Sequence, residues 1–262
     1  MARPSALEES RSFSVRRIPP LRPLGWLVRG AADLRRAPLP GLLHGLLAAA
    51  FGASILAVAG DRFWLLCGAF SGFLLVAPVL ATGLYAVSRA LERGAPVGLR
   101  TVVQAWRPDN GRLVAFGLLL ALAGTGWVLT SAALITGFAP APVSSPLDFL
   151  RIVVLSDESW LFEGWLVLGA VLAAPVFASS VVAMPLLLDR RVSVLAAVYT
   201  SWRTVLEHPL PMALWAGLLM ALTLLGMATM LVGLVVVVPW LAHASWHAYR
   251  DLVDVAGMPE MP

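Results

Sequence analysis

Long apolar runs without interior charge dominate this chain and constrain its fold more than any other feature. Six of them reach the roughly 20 residues that a helix needs to cross a bilayer core about 30 Å thick. They cover Leu39–Ala59, Phe63–Ser88, Leu113–Gly137, Leu161–Leu188, Leu210–Thr229 and Met230–Tyr249. Only 13 % of the residues are charged, far below a soluble domain, and the mean hydropathy is +0.83. The sequence therefore predicts an all-α fold, a polytopic bundle of membrane helices.

The number of spans depends on how the last apolar run is divided. One bent helix over this run would leave five spans and an external C-terminus, whereas a hairpin flanked by Gly226 and Gly233 gives six. With six spans, only Arg62 and Arg151 of the 19 basic residues, all arginine, fall on the outer side. Cytoplasmic loops of membrane proteins carry an excess of basic residues. We therefore predict six spans with both termini cytoplasmic. This asymmetry also accounts for the pI near 10.2 without a nucleic-acid partner.

An internal signature, Gly-x5-Pro-x2-Ala, occurs three times within these runs. Chance alone gives about 1.6 Gly-x5-Pro pairs for this composition, and fewer than one with the added Ala, so the pattern indicates duplication. We expect the three prolines to bend helices that meet around a shared axis, and a copied packing device explains them better than a binding role. The copies are Gly72…Pro78…Ala81, Gly169…Pro175…Ala178 and Gly233…Pro239…Ala242.

A short amphipathic stretch precedes each pair of spans. The three stretches, each containing a Trp, are Leu24–Arg36, Val97–Arg107 and Val192–Glu207. Helical spacing of their apolar residues and the interfacial preference of Trp predict helices that lie on the membrane surface. The sequence thus predicts a membrane domain over 24–254, built from three parallel repeats at about 24–94, 97–190 and 191–254. Residues 1–23 are predicted to form a disordered basic cytoplasmic tail, and 255–262 a short cytoplasmic tail.

Signs of catalysis are missing from the sequence. The interiors of the predicted spans carry no Asp, Glu or Arg, although ion-coupled transporters and pumps place such groups at membrane depth. No phosphate-binding loop and no Gly-x-Ser-x-Gly nucleophile motif is present. We therefore predict no catalytic residues and a protein that is not an enzyme.

Histidine is the exception among side chains that titrate near neutral pH, because it does occur inside the predicted spans. His243 and His247 are four residues apart and share a helix face, and His44 lies near the same membrane surface. Facing histidines can bind haem or a transition metal, but a polar belt among Trp and Tyr at the headgroups explains them better. No cofactor and no metal is predicted, and these three histidines are the candidate ligands should a cofactor be present.

The closing stretch Pro239–Val253, together with the Arg-rich start and the six-span pattern, resembles a bacterial family of predicted integral membrane proteins, domain of unknown function 2189. The resemblance extends over about Leu24–Asp254. It implies a bacterial inner-membrane protein, and the family has no established activity.

Three functions are compatible with these observations. The first is a non-enzymatic scaffold, accessory or assembly subunit of a membrane complex, because apolar faces suit lipid or helix contacts. The second is a small transporter or channel-like protein with a path along the pseudo-threefold axis. The third is a haem- or quinone-associated redox subunit. The expected partners are the lipid bilayer and other membrane subunits, and no nucleic acid.

Overall fold

The computed structural model describes residues 5–59, 81–105, 111–156, 160–256 and 258–261. It divides the chain into two compact units. The first comprises Met1–Ala49, Pro78–Phe116 and Phe177–Pro262, and the second comprises Ala50–Ala77 and Gly117–Val176. Almost all regular structure is helical, as the apolar runs predict.

Four helices are long and apolar enough to cross a membrane within the described residues: Pro38–Ala57, Gly111–Phe138, Leu161–Asp189 and Pro209–Ala228. They match the predicted first, third, fourth and fifth spans to within a few residues. Most of the predicted second span, Phe63–Ser88, lies outside the described residues. Six spans and three repeats therefore remain predictions. The length and apolar composition of these four helices make the chain an integral membrane protein.

The elements in chain order are α1 (Ala6–Arg11), β1 (Ser14–Val15), α2 (Arg22–Arg36), α3 (Pro38–Ala59), α4 (81–92), α5 (Leu99–Ala105), α6 (Gly111–Phe138), α7 (Pro146–Asp148), a π-helical segment (Phe149–Val154), α8 (Leu161–Ser180), α9 (Ala183–Asp189), α10 (Val194–Glu207), α11 (Pro209–Ala228), α12 (Leu234–Leu252) and β2 (Val253–Asp254). The helices α2, α5 and α10 coincide with the three predicted amphipathic stretches. Each precedes a long apolar helix.

The described part of the N-terminal segment, residues 5–23, contains a short helix and a strand, whereas the sequence predicts a disordered tail over 1–23. Ser5 caps α1 in a reciprocal capping box with Glu8, which satisfies two backbone N–H groups. Further along, β1 pairs with β2 in antiparallel register, Ser14 opposite Asp254. Arg16 strengthens this pairing through an ion pair of 2.9 Å with Asp254. The two ends of the chain are therefore held together by backbone bonds that a reading of local composition cannot reveal.

A tight turn separates α11 from α12. Met230 and Leu231 adopt left-handed backbone conformations, with φ of 54° and 68°. Gly233 packs against Gly226 across this turn, where an added Cβ would lie 2.9 Å from the Gly226 Cα atom. The expected break between two helices at this point is confirmed. However, α12 is not among the candidate spans because its second half carries His, Ser, Arg and Asp side chains.

In the first unit, α12 is the central helix and packs closely on α2 and α3. Gly30 of α2 faces Ala244, so that an added Cβ would lie 2.6 Å from its backbone nitrogen. Gly45 of α3 similarly contacts the carbonyl oxygen of Val235. Glycines at these crossings let the helix backbones approach each other, as in many membrane helix pairs. The edge-to-face pair of Trp26 and Trp215, 5.4 Å apart, fills the adjoining space.

The second unit has a small apolar core of its own. Ile135, Val143, Val153 and Leu161 are buried together, and the Trp165 ring packs beside them. The segment between α6 and α8 supplies Val143 and Val153, so this loop is folded back onto the helices that flank it. The indole N–H of Trp165 donates to Ser131 Oγ at 2.7 Å, which satisfies the one polar atom of that ring.

Candidate functional site

The signature residues of the predicted repeats lie in different surroundings. Gly72 and Pro78 are outside the described residues, and Ala81 is the first described residue of α4. Pro175 and Pro239 both lie inside helices, α8 and α12. Gly169 packs against the Trp127 ring, whereas Gly233 is the N-cap of α12, and Ala178 and Ala242 are buried. The expected meeting of three bent helices around one axis stays a prediction.

Two of the three candidate histidines, His243 and His247, belong to a buried polar chain that joins α2, α4 and α12. His243 is fully buried, and its Nδ1 atom lies 2.7 Å from Ser88 Oγ. His247 Nε2 lies 2.8 Å from Asp33 Oδ2, and Ser88 is also hydrogen-bonded to the Asp33 carboxylate. We call Asp33, Ser88, His243 and His247 the histidine relay. Its members come from three helices, although only His243 and His247 could be paired from the sequence.

The charge of Asp33 fixes the direction of every hydrogen bond in the relay. Burial alone raises the pKa of this carboxyl, but the hydrogen bonds from His247 and Ser88 outweigh burial and lower it, so Asp33 is ionised. An ionised carboxylate only accepts, so Ser88 spends its single hydroxyl proton on Asp33. The Ser88 oxygen is then left to accept from His243 Nδ1–H. A neutral imidazole with its proton on Nδ1 carries its lone pair on Nε2.

That lone pair is buried within the protein. His243 Nε2 has no hydrogen-bond partner among the described residues. It faces α3, where it lies 3.8 Å from the position that a Cβ at Gly41 would occupy. An unpaired buried polar atom costs about 1–3 kcal/mol, so its presence calls for a physical reason.

A second histidine of the same tautomer lies nearby on α3. His44 donates Nδ1–H to the Pro40 carbonyl oxygen, 2.8 Å away, because a carbonyl can only accept. Its Nε2 is therefore also the basic nitrogen, and it lies against Gly83 of α4. His44 is close enough to His243 to interact with it electrostatically. The structure thus places His44 within electrostatic range of His243, while the ring of His247 is engaged by Asp33.

A second charged cluster surrounds Asp189 at the end of α9. This carboxylate is 1 % exposed as a residue, and Arg190 pairs with it at 3.0 Å while the Tyr249 hydroxyl donates at 2.8 Å. Three more arginines lie within 4 Å of its oxygens, namely Arg89 at 3.9 Å, Arg93 at 3.7 Å and Arg250 at 3.9 Å. The C-terminal segment joins them, because Met261 N–H donates to the Asp189 carbonyl oxygen at 2.9 Å. We call this the Asp189 cluster.

A third carboxylate, Asp251, ties α2 to the end of α12. It accepts from Arg22 at 2.6 Å and from the Trp26 indole at 2.8 Å, and it pairs with Arg29. Burial alone raises the pKa of Asp251, but these three donors lower it overall. None of the relay, the Asp189 cluster or Asp251 was predicted from the sequence. Arginine placement was the only available signal, and it indicated topology alone.

The described side chains of these clusters are arranged as structural ties. Among the residues the structure describes, no group of three or more His, Cys, Asp or Glu side chains could hold a metal ion. The relay offers instead one buried imidazole nitrogen, Nε2 of His243.

The four long apolar helices define the chain as an integral membrane protein. Residues 65–189 match the model of the family described as predicted integral membrane protein, domain of unknown function 2189. The family resemblance is thereby confirmed, over a part of the chain that does not include the closing stretch Pro239–Val253. No curated protein and no solved structure matches the chain significantly.

Proposed function

We propose that the protein is a non-enzymatic scaffold or accessory subunit of a complex in the bacterial inner membrane. The observation that carries this proposal is that buried carboxylates of the chain pair with arginines of the same chain and thereby join its helices. Asp189 lies at the meeting point of α4, α9, α12 and the C-terminal segment, with four arginines within 4 Å. Asp251 binds α2 to α12 in the same way. A carboxylate saturated by arginines from its own chain stabilises a fixed arrangement of helices and has no capacity left for a substrate.

The exposed side chains of the candidate spans also support this proposal. Only 17–33 % of the residues in their apolar windows are buried, so most of their side chains are available to lipid or to other helices. On α6, the exposed Leu118, Leu122 and Leu129 share one face. Lipid and neighbouring membrane helices are the environments that accept such a face.

Affinity isolation from native membranes tests the proposal. The chain, tagged at its C-terminus and expressed at its native level, is extracted in a mild detergent beside an unrelated six-span protein with the same tag. We expect one or more membrane subunits that co-migrate with the chain at fixed stoichiometry on native gels and are absent from the control. Recovery of the chain alone in two detergents would refute the scaffold. Solute flux in proteoliposomes of the isolated chain would support the transporter instead.

We also propose that both termini lie in the cytoplasm. The pairing of β1 with β2 puts the two ends on one side of the membrane, and the arginine asymmetry of the sequence favours the cytoplasm as that side. Cys67 is the only cysteine, so a Cys67→Ser chain gives a clean background for labelling. A cysteine placed at Pro259 should react with a membrane-impermeant maleimide only after the cells are opened. Labelling in intact spheroplasts would reverse the orientation. A cysteine placed at Arg151 is the matched outer control.

A further inference from the structure

We propose that a cavity beside the first turn of α10 binds the phosphate group of an anionic phospholipid. The cavity has a volume of about 790 Å³ and lies within the first unit. Its wall is formed by α1, by the beginning of α6 and by the segment that leads into α10. Two arginines, Arg112 and Arg191, are part of this wall.

The charges of these two arginines are not neutralised by the protein. Among the described residues, no carboxylate oxygen lies within 4 Å of the Arg112 or Arg191 guanidinium group. By contrast, Arg93, Arg190 and Arg250 each pair with at least one carboxylate. The guanidinium group matches the geometry of a phosphate, to which it can donate two parallel hydrogen bonds. The cavity therefore offers two cations to a phosphate-bearing ligand.

Hydrogen bonds hold the Arg112 side chain beside Arg191. Arg112 Nη1 donates to the Val192 carbonyl oxygen at 2.6 Å, and Nη2 donates to the Met261 sulfur at 2.9 Å. Both acceptors are uncharged, so they orient the guanidinium group without cancelling its charge. Val192 directly follows Arg191, whose side chain is exposed and has no hydrogen bond among the described residues. One cation is thus fixed in the wall, and the other is available at its edge.

Glu9 is the acidic side chain of the cavity wall, and its carboxylate is already engaged. It accepts from Ser193 N–H at 3.2 Å and from the Ser193 hydroxyl at 2.6 Å. The Ser193 oxygen in turn accepts from Ala196 N–H at 3.2 Å, which caps α10. The first donors of α10 are therefore occupied by the protein itself, and the arginines are the groups left for a ligand. Two arginines against one glutamate leave the wall with a net positive charge.

The position of the cavity selects a lipid as the source of the phosphate. Arg112 is the second residue of α6, a candidate membrane span, so it lies at the level where that span ends. On α10 the exposed side chains of Leu195, Tyr199 and Leu206 share one face. Such a face suits the boundary between headgroups and acyl chains, where basic pockets bind acidic lipid headgroups. Leu195 also lines the cavity, which therefore has an apolar edge for acyl chains beside its cationic wall.

Native mass spectrometry of the intact chain in detergent tests the site. The delipidated chain is titrated in parallel with phosphatidylglycerol and with phosphatidylcholine, whose choline cation compensates the same phosphodiester charge. We expect one phosphatidylglycerol to be retained at concentrations at which phosphatidylcholine is not. Arg191→Gln and Arg112→Gln should each lower this affinity about fivefold, which corresponds to about 1 kcal/mol for one basic residue near an anionic surface. Arg36→Gln is the matched control, because it removes an exposed arginine of α2 that is outside the cavity wall.

Inorganic phosphate distinguishes a lipid site from a site for a free anion. Sodium phosphate should displace phosphatidylglycerol no more than sodium chloride of equal ionic strength does, because screening is then the only effect of either salt. Greater displacement by phosphate would assign the cavity to a free anion and would overturn the proposal.

Two further outcomes would overturn the proposal. One is equal retention of the two lipids by the unmodified chain, and the other is equal affinity for phosphatidylglycerol in Arg191→Gln and Arg36→Gln. The Arg191 side chain makes no hydrogen bond among the described residues, so its variant retains the fold. The test is therefore decisive even where Arg112→Gln, which removes the bond to Val192, fails to fold. The scaffold proposal does not depend on this outcome, because the association of membrane subunits requires no lipid in this cavity.

Discussion

The contact between α2 and α12 gives the sharpest prediction on stability, because α2 contains both a glycine at this contact and a control glycine away from it. Gly30 and Gly25 lie on α2 within two turns of each other. A Cβ at Gly30 would lie 2.6 Å from the backbone nitrogen of Ala244 and 2.9 Å from its Cα, whereas a Cβ at Gly25 meets nothing within 4 Å. The neighbour at Gly30 is backbone, so the collision can only be relieved by moving one helix.

The two alanine substitutions should therefore have opposite effects. Overpacking at a tight contact costs about 1–3 kcal/mol, which exceeds the gain of about 1 kcal/mol that Ala brings to a helix in place of Gly. At Gly25 only the gain applies. We expect Gly30→Ala to destabilise the protein and Gly25→Ala to leave its stability unchanged or raise it. For a chain of this size a difference of about 2 kcal/mol between them corresponds to roughly 4–8 °C in Tm.

Thermal unfolding of the two variants in the same detergent, followed by tryptophan fluorescence, measures this difference. Trp26 on α2 is fully buried against Trp215, so its emission reports on the same helix. A Gly30→Ala chain as stable as Gly25→Ala would show that α2 is not packed on α12 as described. Equal losses in both variants would show that α2 tolerates no side chain at either position, for a reason other than contact with Ala244.

Three further results are expected. Asp189→Ala should cost about 3–5 kcal/mol in chemical denaturation, since it leaves arginines around an empty buried position, while Asp254→Ala, at an exposed ion pair, should have a much smaller effect. The pKa of Asp251 is lowered on folding, so its contribution to stability is complete above about pH 4 and is lost as the pH falls through the folded pKa. The substitution Asp251→Asn should therefore flatten the acid limb of the stability–pH curve. An unchanged acid limb would contradict this. Met230→Gly should stabilise the turn by about 1 kcal/mol, because this exposed residue has a left-handed φ of 54°. Leu231→Gly should not stabilise it, because this substitution removes a buried side chain. Equal shifts of Tm in the two variants would refute the strain argument.

The long helices could be predicted from the sequence because crossing a membrane is a property of one segment. Apolar length, prolines at helix starts and flanking arginines act within about 20 residues of each other. For this reason α3, α6 and α11 match the predicted spans closely. The division of the last apolar run also followed from local signals, the glycines at Gly226 and Gly233. The structure adds the left-handed residues between them, which composition does not indicate.

The folded N-terminus was missed for two different reasons. A two-residue strand such as β1 has no periodicity, so its pairing with β2 could not be found in any local window. The helix α1 did carry a signal, since Ser5 followed three residues later by Glu8 is the sequence of a capping box. The many arginines of this segment are typical of a solvated tail. Some of them have a structural use, because Arg16 and Arg22 pair with carboxylates at the other end of the chain.

The histidine relay shows what a spacing rule can and cannot provide. A separation of four residues correctly predicted that His243 and His247 share one face of α12. Their different roles depend on residues from two other helices, since Asp33 engages the ring of His247 and Ser88 engages Nδ1 of His243. Those partners lie more than 150 positions away along the chain, and both are common residue types with no motif around them. The orientation of the His243 ring therefore depends on a set of hydrogen bonds from distant parts of the chain, which no local window of the sequence contains.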